Sequence, residues 1–390
     1  MSEFINTVDL IGDEALSNSI IDRSITEIAD NYIDSIGDYP FYKAASLVSV
    51  DFPSVTSIGN NAFNSSGITQ INIPAATTIG GNAFRNCQNL VSVDFPSATS
   101  IGSSAFAYCN NLSTVNLPSA NVIGSNAFYE CASLYEVNLP MVTTIESDAF
   151  RHSYIREINA PNLIKIGNYA FYHCYNLYSV DFPEATSIGG YAFWNANGLG
   201  SVNCPKVQSI GTYGLAYTDI GTADFPLATS VMWYAFRDCQ FLHTVNLPLI
   251  TSVSQYTFLN CIKLETICLP SVKAIYDFGA FYNCKKLKTV DLPVVTEIDG
   301  TSFWDCVKLS TLILRNADEV CKWTAGGSTG GPALGDTLIA SGTGYVYVPA
   351  ALIEQYKVAS RWSNYATQFR ALEDYTVDGT TTGDLDPNKI

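Results

Sequence analysis

The sequence predicts a repeat solenoid: a right-handed coil with a parallel β-sheet on one face, short helical or 3-10 turns opposite, and a small α+β cap at the C-terminal end. Three observations predict it. Prolines recur at Pro53, Pro74, Pro96, Pro118, Pro140, Pro161, Pro183, Pro205, Pro226, Pro248, Pro270 and Pro293, in steps of 21 to 23 residues. Around each lies one pattern, clearest in LVSVDFPSATSIGSSAFAYC at residues 90–109. The apolar positions are the same in every copy, so one copy cannot cover its own apolar face and copies must stack.

Each part of the coil has a physical reading. In Leu90-x-x-Val93-x-Phe95, Val93 and Phe95 alternate with Ser92 and Asp94, the period of a half-buried strand. Proline then ends the strand, because it brings no N–H to a ladder. Ile101-Gly102 makes a second inward contact and a turn, Ala105-Phe106 brings the chain back inward, and Cys109 and Leu112 close the coil. Inward slots repeat along the chain: Leu47, Ile68, Leu90, Leu112 and onward to Leu309 open the strands, while Phe41, Phe63, Phe84, Phe106 and onward to Phe303 fill the return, with Leu215 as one replacement.

The pattern sets the expected boundaries. Residues 25–315 form the solenoid, about 13 coils of about 22 residues. Ile25, Ile28 and Ile36 sit in matching slots of a degenerate first coil. Residues 1–24 lack the repeat and read either as a cap over the open end or as a segment attaching to a larger assembly. Residues 316–375 read as a C-terminal cap of loop, strand and helix. The loop holds Gly326, Gly327, Gly330 and Gly331, the strand Tyr345-Val346-Tyr347-Val348. Pro349 can open a helix, with Leu352, Tyr356 and Ala359 on one face, followed by Trp362, Tyr365, Phe369 and Leu372. Residues 376–390 are a polar, loose tail.

Composition narrows the function classes. Hydrophobic residues make up 47% of the 390-residue chain and charged residues 14%, which supports a long core and opposes disorder. The net charge of −16 disfavours nucleic-acid binding through phosphates. No run of apolar residues is long enough to insert in a membrane. The N-terminus MSEFINTVDLIGDEAL has neither a basic n-region nor an apolar h-region, so the expectation is a protein that stays in its cell or leaves without a signal, as a virion component does.

The coil L-x-x-V-x-[LF]-P-x-[AV]-T-x-I-G-x-x-A-F-x-x-C-x-x-L resembles the BspA-like (Treponema pallidum-type) leucine-rich repeat over roughly residues 25–315. The resemblance implies a leucine-rich-repeat solenoid that adheres or binds, at bacterial surfaces or in phage particles. It carries no catalytic residues. The segment YVYVPAALIEQYKVASRWSNYATQFRAL resembles the strand–helix module that often follows such repeats in gut Firmicutes and their phages.

Candidate chemistry was sought in the cysteines first. Eight of the eleven stand three residues after the coil phenylalanine: Cys87, Cys109, Cys131, Cys174, Cys239, Cys261, Cys284 and Cys306. Ala44, Ser66, Ser153, Ala196 and Thr218 hold that slot elsewhere, so it selects small size. With no C-x-x-C, the expectation is buried free thiols and neither zinc nor disulfides, compatible with a reducing cytoplasm. His152 and His173 stand in adjacent coils and read as surface histidines or as a metal pair; His243 is isolated. No H-E-x-x-H or G-x-S-x-G motif occurs. The expectation is a protein that is not an enzyme and uses no cofactor and no metal.

Two surface stripes remain. On the strands, Asp51, Asn72, Asp94, Asn116, Asn138 and Asn159 run side by side, then Asp181, Asn203, Asp224 and Asn246. They read as a solvated face or as calcium or sugar ligands. Two positions before the coil phenylalanine, or before Leu215, stand Tyr169, Tyr191, Tyr213, Tyr234 and Tyr256, where other coils have Asn61, Asn82, Ser104, Asn126 and Asp148. Tyr172 and Trp194 follow the phenylalanine and Trp233 adjoins the run. Rings with a polar tip suit recognition of proteins or sugars; the alternative is a ladder that only stabilises the stack.

The expected function is therefore a phage or prophage tail-associated host-recognition protein, contacting a host-surface protein or glycan through these eight residues. A bacterial cell-surface adhesin is the alternative. Other virion or tail proteins could attach through residues 1–24 or the C-terminal module, and a homo-oligomer fits the same picture.

Overall fold

The computed structural model describes residues 26–276, 278–324, 334–377 and 380–381. Expectations for residues 1–24, for Gly326 to Gly331 and for most of 376–390 lie outside the described residues. The chain divides into two compact units, residues 1–199 and residues 200–390.

In the first unit each coil contributes two short parallel strands. The first ladder holds Glu27–Ala29, Ser49–Asp51, Gln70–Asn72, Ser92–Asp94, Thr114–Asn116, Glu136–Asn138, Glu157–Asn159 and Ser179–Asp181. Pairing is in register, slot on slot: Ile28 with Val50, Val50 with Ile71, Val93 with Val115, Val115 with Val137 and Val137 with Ile158. The coil at residues 25–38 thus joins the stack through Ile28, and again through Ile36, which pairs with Ile58.

The Ser-Ile and Thr-Ile dipeptides form a second parallel ladder that the sequence pattern did not reveal. Ile79 pairs with Ile101, Ile101 with Ile123, Ile123 with Ile145 and Ile145 with Ile166. A strand of two residues shows no alternation, so periodicity cannot identify it.

The return through the phenylalanine is a turn whose N–H groups alternate in destination. Arg85 N bonds to Asn82 O and Cys87 N to Phe84 O within the coil, both with the i→i−3 spacing of a 3-10 turn. Asn82 N, Phe84 N and Asn86 N instead donate to Ser103, Ala105 and Ala107 of the next coil, at 2.9, 2.7 and 2.8 Å. Left-handed φ values at Asn82 (55°) and Asn86 (58°) produce the alternation and keep the turn from running on into a helix.

The core follows from this register. Phe63, Phe84, Phe106, Phe128, Phe150 and Phe171 are fully buried, and successive rings from Phe41 to Phe193 stack with centroids 4.9 to 5.5 Å apart. The cysteine slot has a hydrogen-bonding role beyond small size. Cys87, Cys109 and Cys131 donate to the carbonyl oxygens of Phe63, Phe84 and Phe106 in the preceding coil, and Ser153 does the same to Phe128. All eleven cysteines are free. Burial pushes the Cys87 thiol up to about 12 and raises Cys109 well above the ordinary thiol value, so the interior thiols stay protonated and unreactive.

The second unit uses the same coil. Strands Thr266–Cys268, Thr289–Leu292 and Thr311–Leu314 pair in parallel, followed by Tyr345–Val348 and Phe369–Ala371. Cysteines donate here as well, Cys261 to Phe236 O and Cys284 to Phe258 O. After Pro349 come a 3-10 turn, Ala350–Leu352, and the helix Ile353–Val358. The helical run stops at Ala359, which is extended, and at Arg361, whose φ is +67°. Phe369, expected to continue a helical face, is instead a strand residue paired with Val346. Tyr356, Trp362 and Phe369 bury against the last coil, with Trp362 Nε1 donating to Cys321 O at 2.7 Å and Cys321 N donating to Tyr356 Oη at 2.9 Å.

Beside the second ladder, the preceding coil crowds Gly102. A Cβ on Gly102 would lie 2.6 Å from Gly80 C and 2.7 Å from Gly81 N. Gly102→Ala is therefore expected to destabilise the first unit by about 2–3 kcal/mol. Urea denaturation measures this, and hydrogen exchange should rise at Gly102 N, which donates to Ile79 O.

Candidate functional site: an aromatic face on the coil turns

The two left-handed positions of each turn face outward, since the alanine and phenylalanine between them are buried. In the first unit the earlier position holds Tyr39, Asn61, Asn82, Ser104, Asn126, Asp148, Tyr169 and Tyr191, and the later one Lys43, Ser65, Asn86, Tyr108, Glu130, His152, His173 and Asn195. Asn and Asp adopt this conformation with little strain, whereas a bulky ring pays a steric cost. Register stacks like slots on like slots, so residues a full coil apart in sequence become neighbours.

The structure brings four of the expected site residues together in the first unit. Tyr169 stacks on Tyr191 at 4.9 Å and 6°, and Tyr172 on Trp194 at 4.7 Å and 12°. Tyr169 and Tyr172 join the two stacks at 5.6 Å. All four rings are half-buried. In the second unit, Tyr213 stacks on Tyr234 at 4.4 Å and Tyr234 on Tyr256 at 5.3 Å. Trp233 is 49% exposed and has no ring partner among the described residues.

The face in the first unit extends beyond the expected site residues, to the His152 and His173 pair and to Tyr108, Tyr129, Arg85 and Arg151, which the sequence reading did not single out. Tyr108 meets Tyr129 edge-on at 5.3 Å, Tyr129 meets His152 at 6.2 Å, and His152 meets His173 at 4.7 Å. His173 stacks on Tyr172 at 4.2 Å and on Trp194 at 4.9 Å. Two arginines lie over tyrosines: Arg85 is 4.8 Å from the Tyr108 ring, and Arg151 is 4.6 Å from that of Tyr172. Arg151 also pairs with Asp148 at 2.9 Å. A usable signal was present, since Arg85, Tyr129, Arg151 and Tyr172 all directly follow the coil phenylalanine.

The other candidate stripe bonds to itself. Asn72 Nδ2 donates to Asp51 Oδ1, Asn116 to Asp94, Asn138 to Asn116 and Asn159 to Asn138, at 2.7 to 3.2 Å. These side chains are committed to their neighbours, and those from Asp94 to Asn159 line a concave groove of about 540 Å³. Among the described residues no group of three His, Cys, Asp or Glu side chains is placed to hold a metal ion.

The histidines report the electrostatics of the face. Burial pushes His173 down to about 4, with His152 and Arg151 adding positive charge beside it. His152 is lowered by burial and by Arg151, partly offset by Glu130. Because the unfolded His173 titrates near 6.5, the folded state binds fewer protons than the unfolded chain between about 6.5 and about 4. Stability should fall as the pH drops through that window. An NMR titration of the His173 ring is expected to give a midpoint near 4, moved upward in Arg151→Gln; a midpoint at the ordinary histidine value in both proteins would show that the ring is not enclosed as described.

Comparison with known proteins agrees with this architecture. The chain is similar in structure to a leucine-rich-repeat protein from Bacteroides ovatus, at 19% identity, covering 77% of this chain and 92% of that one with a TM-score of 0.50. It is also similar to a leucine rich cell surface protein from Faecalibacterium prausnitzii (24% identity, 76% of this chain and 89% of that one, TM-score 0.43) and to the leucine rich repeat protein of T. pallidum (21% identity, 62% and 78%, TM-score 0.24). At these identities the likeness concerns the fold alone. No curated protein sequence matches the chain. The model of the BspA type leucine rich repeat region matches residues 9–134, 121–239 and 208–322. The chain belongs to the BspA-type leucine-rich repeat family.

Proposed function

We propose that this protein is a non-enzymatic recognition protein of the surface or adhesion type, and that its aromatic turn face contacts a partner. The observation that carries the reading is the left-handed φ of Tyr169 (58°), Tyr191 (56°), Tyr213 (56°), Tyr234 (60°) and Tyr256 (51°). A left-handed conformation costs a residue with a Cβ about 1–2 kcal/mol, while an aromatic pair contributes about 0.5–1.5 kcal/mol. The two nearly cancel, so stability alone gives little reason to place tyrosine where other coils carry asparagine or serine. Strained, half-buried residues of this kind concentrate at sites that work on something outside the chain.

The stacking also bears on what is recognised. Ring faces in the Tyr169–Tyr191 and Tyr172–Trp194 stacks are turned to one another. Each stack covers one face of each ring, and the tyrosine hydroxyls suit hydrogen bonding with a protein surface. Replacing Tyr169 and Tyr191 together with Asn restores the residue that relaxes the turn. The melting temperature is expected to move by no more than about 4 °C, while binding of labelled protein to host cells, read by flow cytometry, falls about tenfold or more. A large loss of melting temperature with undiminished binding would make the stripe a stabilising ladder instead.

The free thiols favour one place of display over another. Eleven reduced cysteines suit folding in a reducing cytoplasm. A tail-associated component of a phage or prophage, assembled there and released at lysis, meets that condition, with a bacterial cell surface as the alternative. Mass spectrometry of purified induced particles is expected to recover the chain; recovery solely by protease shaving of intact cells would assign it to the cell surface.

A further inference from the structure

In the first unit the outward row after the coil phenylalanine reads Arg85, Ala107, Tyr129, Arg151 on successive coils. Ala107 is buried, and Ser104 holds the earlier left-handed slot of the same coil, with Tyr108 in the later one. A groove of about 280 Å³ opens over these two small residues, walled by Tyr108 of that coil and Tyr129 of the next, and reached by Arg85 from the preceding coil and by Arg151 from two coils further on. The lining holds two guanidinium groups and one carboxylate, Asp148, in a chain whose net charge is −16.

One of the two cations in this groove is paired within it, Arg151 with Asp148 at 2.9 Å, and the other is not. Arg85 lies over Tyr108 and has no carboxylate partner among the described residues. Arg151 uses Nη1 on Asp148, but its Nε is enclosed and bonds to nothing, so the pair lacks the two-pronged geometry that guanidinium and carboxylate favour. His173 Nε2 nearby is likewise enclosed and unbonded. Glu130 stands beside Tyr129 and His152, outside the groove lining. Both histidines are held toward the neutral form partly by Arg151, the mark of local positive potential.

We propose that this groove binds a carboxylate-bearing segment of a partner protein, with its acid groups on Arg85 and Arg151. A carboxylate there gives Arg85 the acceptor the chain does not supply and joins Asp148 on Arg151, and the tyrosine walls cover the segment's apolar stems. An acidic peptide is favoured over an acidic glycan because Arg85 and Arg151 lie over the Tyr108 and Tyr129 rings, at 4.8 and 5.8 Å, on faces a sugar would need. The proposal rests on the recognition reading and names the chemistry it selects.

The test uses the full chain and a fluorescein-labelled hexaglutamate peptide, followed by anisotropy at low and physiological salt. Binding that weakens with salt is expected, with Arg85→Gln and Arg151→Gln each weakening it about tenfold or more. The bound peptide should also raise the His173 midpoint, because an added anion favours the protonated ring. Arg85→Gln breaks no ion pair, so it decides the question even if Arg151→Gln perturbs folding. No binding, binding indifferent to Arg85→Gln, or tighter binding of oligogalacturonate would overturn the proposal, the last by making the ligand a glycan. The two readings fail separately. Retained host-cell binding in the Tyr169→Asn, Tyr191→Asn double variant would end the assignment of recognition to the aromatic stripe while leaving arginine-dependent peptide binding intact.

Discussion

Within each unit the coil-to-coil hydrogen-bond ladder governs everything else. Backbone groups on the strands, on the Ser-Ile dipeptides and on the turns donate to or accept from the same position of a neighbouring coil. The separation of like positions is thus fixed near the spacing of parallel strands, about 4.8 Å. Any side chain in a slot must tolerate its own kind at that distance. Flat phenylalanine rings do so by stacking at 4.9 to 5.5 Å. Cysteine does so by being small and by giving its S–H to the carbonyl of the preceding coil, as a second donor beside the backbone N–H that carbonyl already accepts. Asparagine does so by bonding sideways. Glycine beside the second ladder does so by having no Cβ.

This constraint explains what was legible in the sequence. The proline period, Val93 and Phe95 on one side of Ser92 and Asp94, and the recurrence of phenylalanine gave the solenoid and its register. The second ladder was not legible, because a dipeptide such as Ser100–Ile101 is too short to show a period. The left-handed turn positions were encoded more openly, by asparagine and aspartate at Asn61, Asn82, Asn126 and Asp148. Their meaning emerges once hydrogen bonds show which N–H groups leave the coil. At the C-terminal end, the aromatic spacing from Tyr356 to Phe369 mimicked one helical face. The extended Ala359 and left-handed Arg361 break the helix, and strand pairing with Val346 decides the conformation of Phe369.

The candidate site was legible to a comparable degree. Stacking of Tyr169 on Tyr191 and of Tyr213 on Tyr234 follows from slot arithmetic. The arginine-lined groove does not. It depends on an absence, the small Ala107 between larger neighbours, and on where long flexible guanidiniums come to rest. A row of residue names shows Arg85 and Arg151 as two charges among many, and the fold is needed to show that they look into one depression.

The division of labour between slots has a consequence for how such a surface can change. Interior slots are coupled to their neighbours above and below, so an altered phenylalanine disturbs rings on both sides. Outward turn positions make fewer obligatory contacts, and the backbone there is held by the ladder rather than by the side chain. A coil can therefore exchange asparagine for tyrosine at a cost of about 1–2 kcal/mol, set mainly by the left-handed φ. Placement of the cations fits the same logic. Among 20 basic and 36 acidic residues, Arg85 and Arg151 sit over rings of the first unit, and Arg237 lies 5.6 Å from Tyr234 in the second. Aromatic faces hold a guanidinium at the surface while leaving part of its donor capacity unspent. A rigid stack that fixes rings, and rings that fix cations, present a preorganised surface whose identity is set by single outward substitutions rather than by a change of fold.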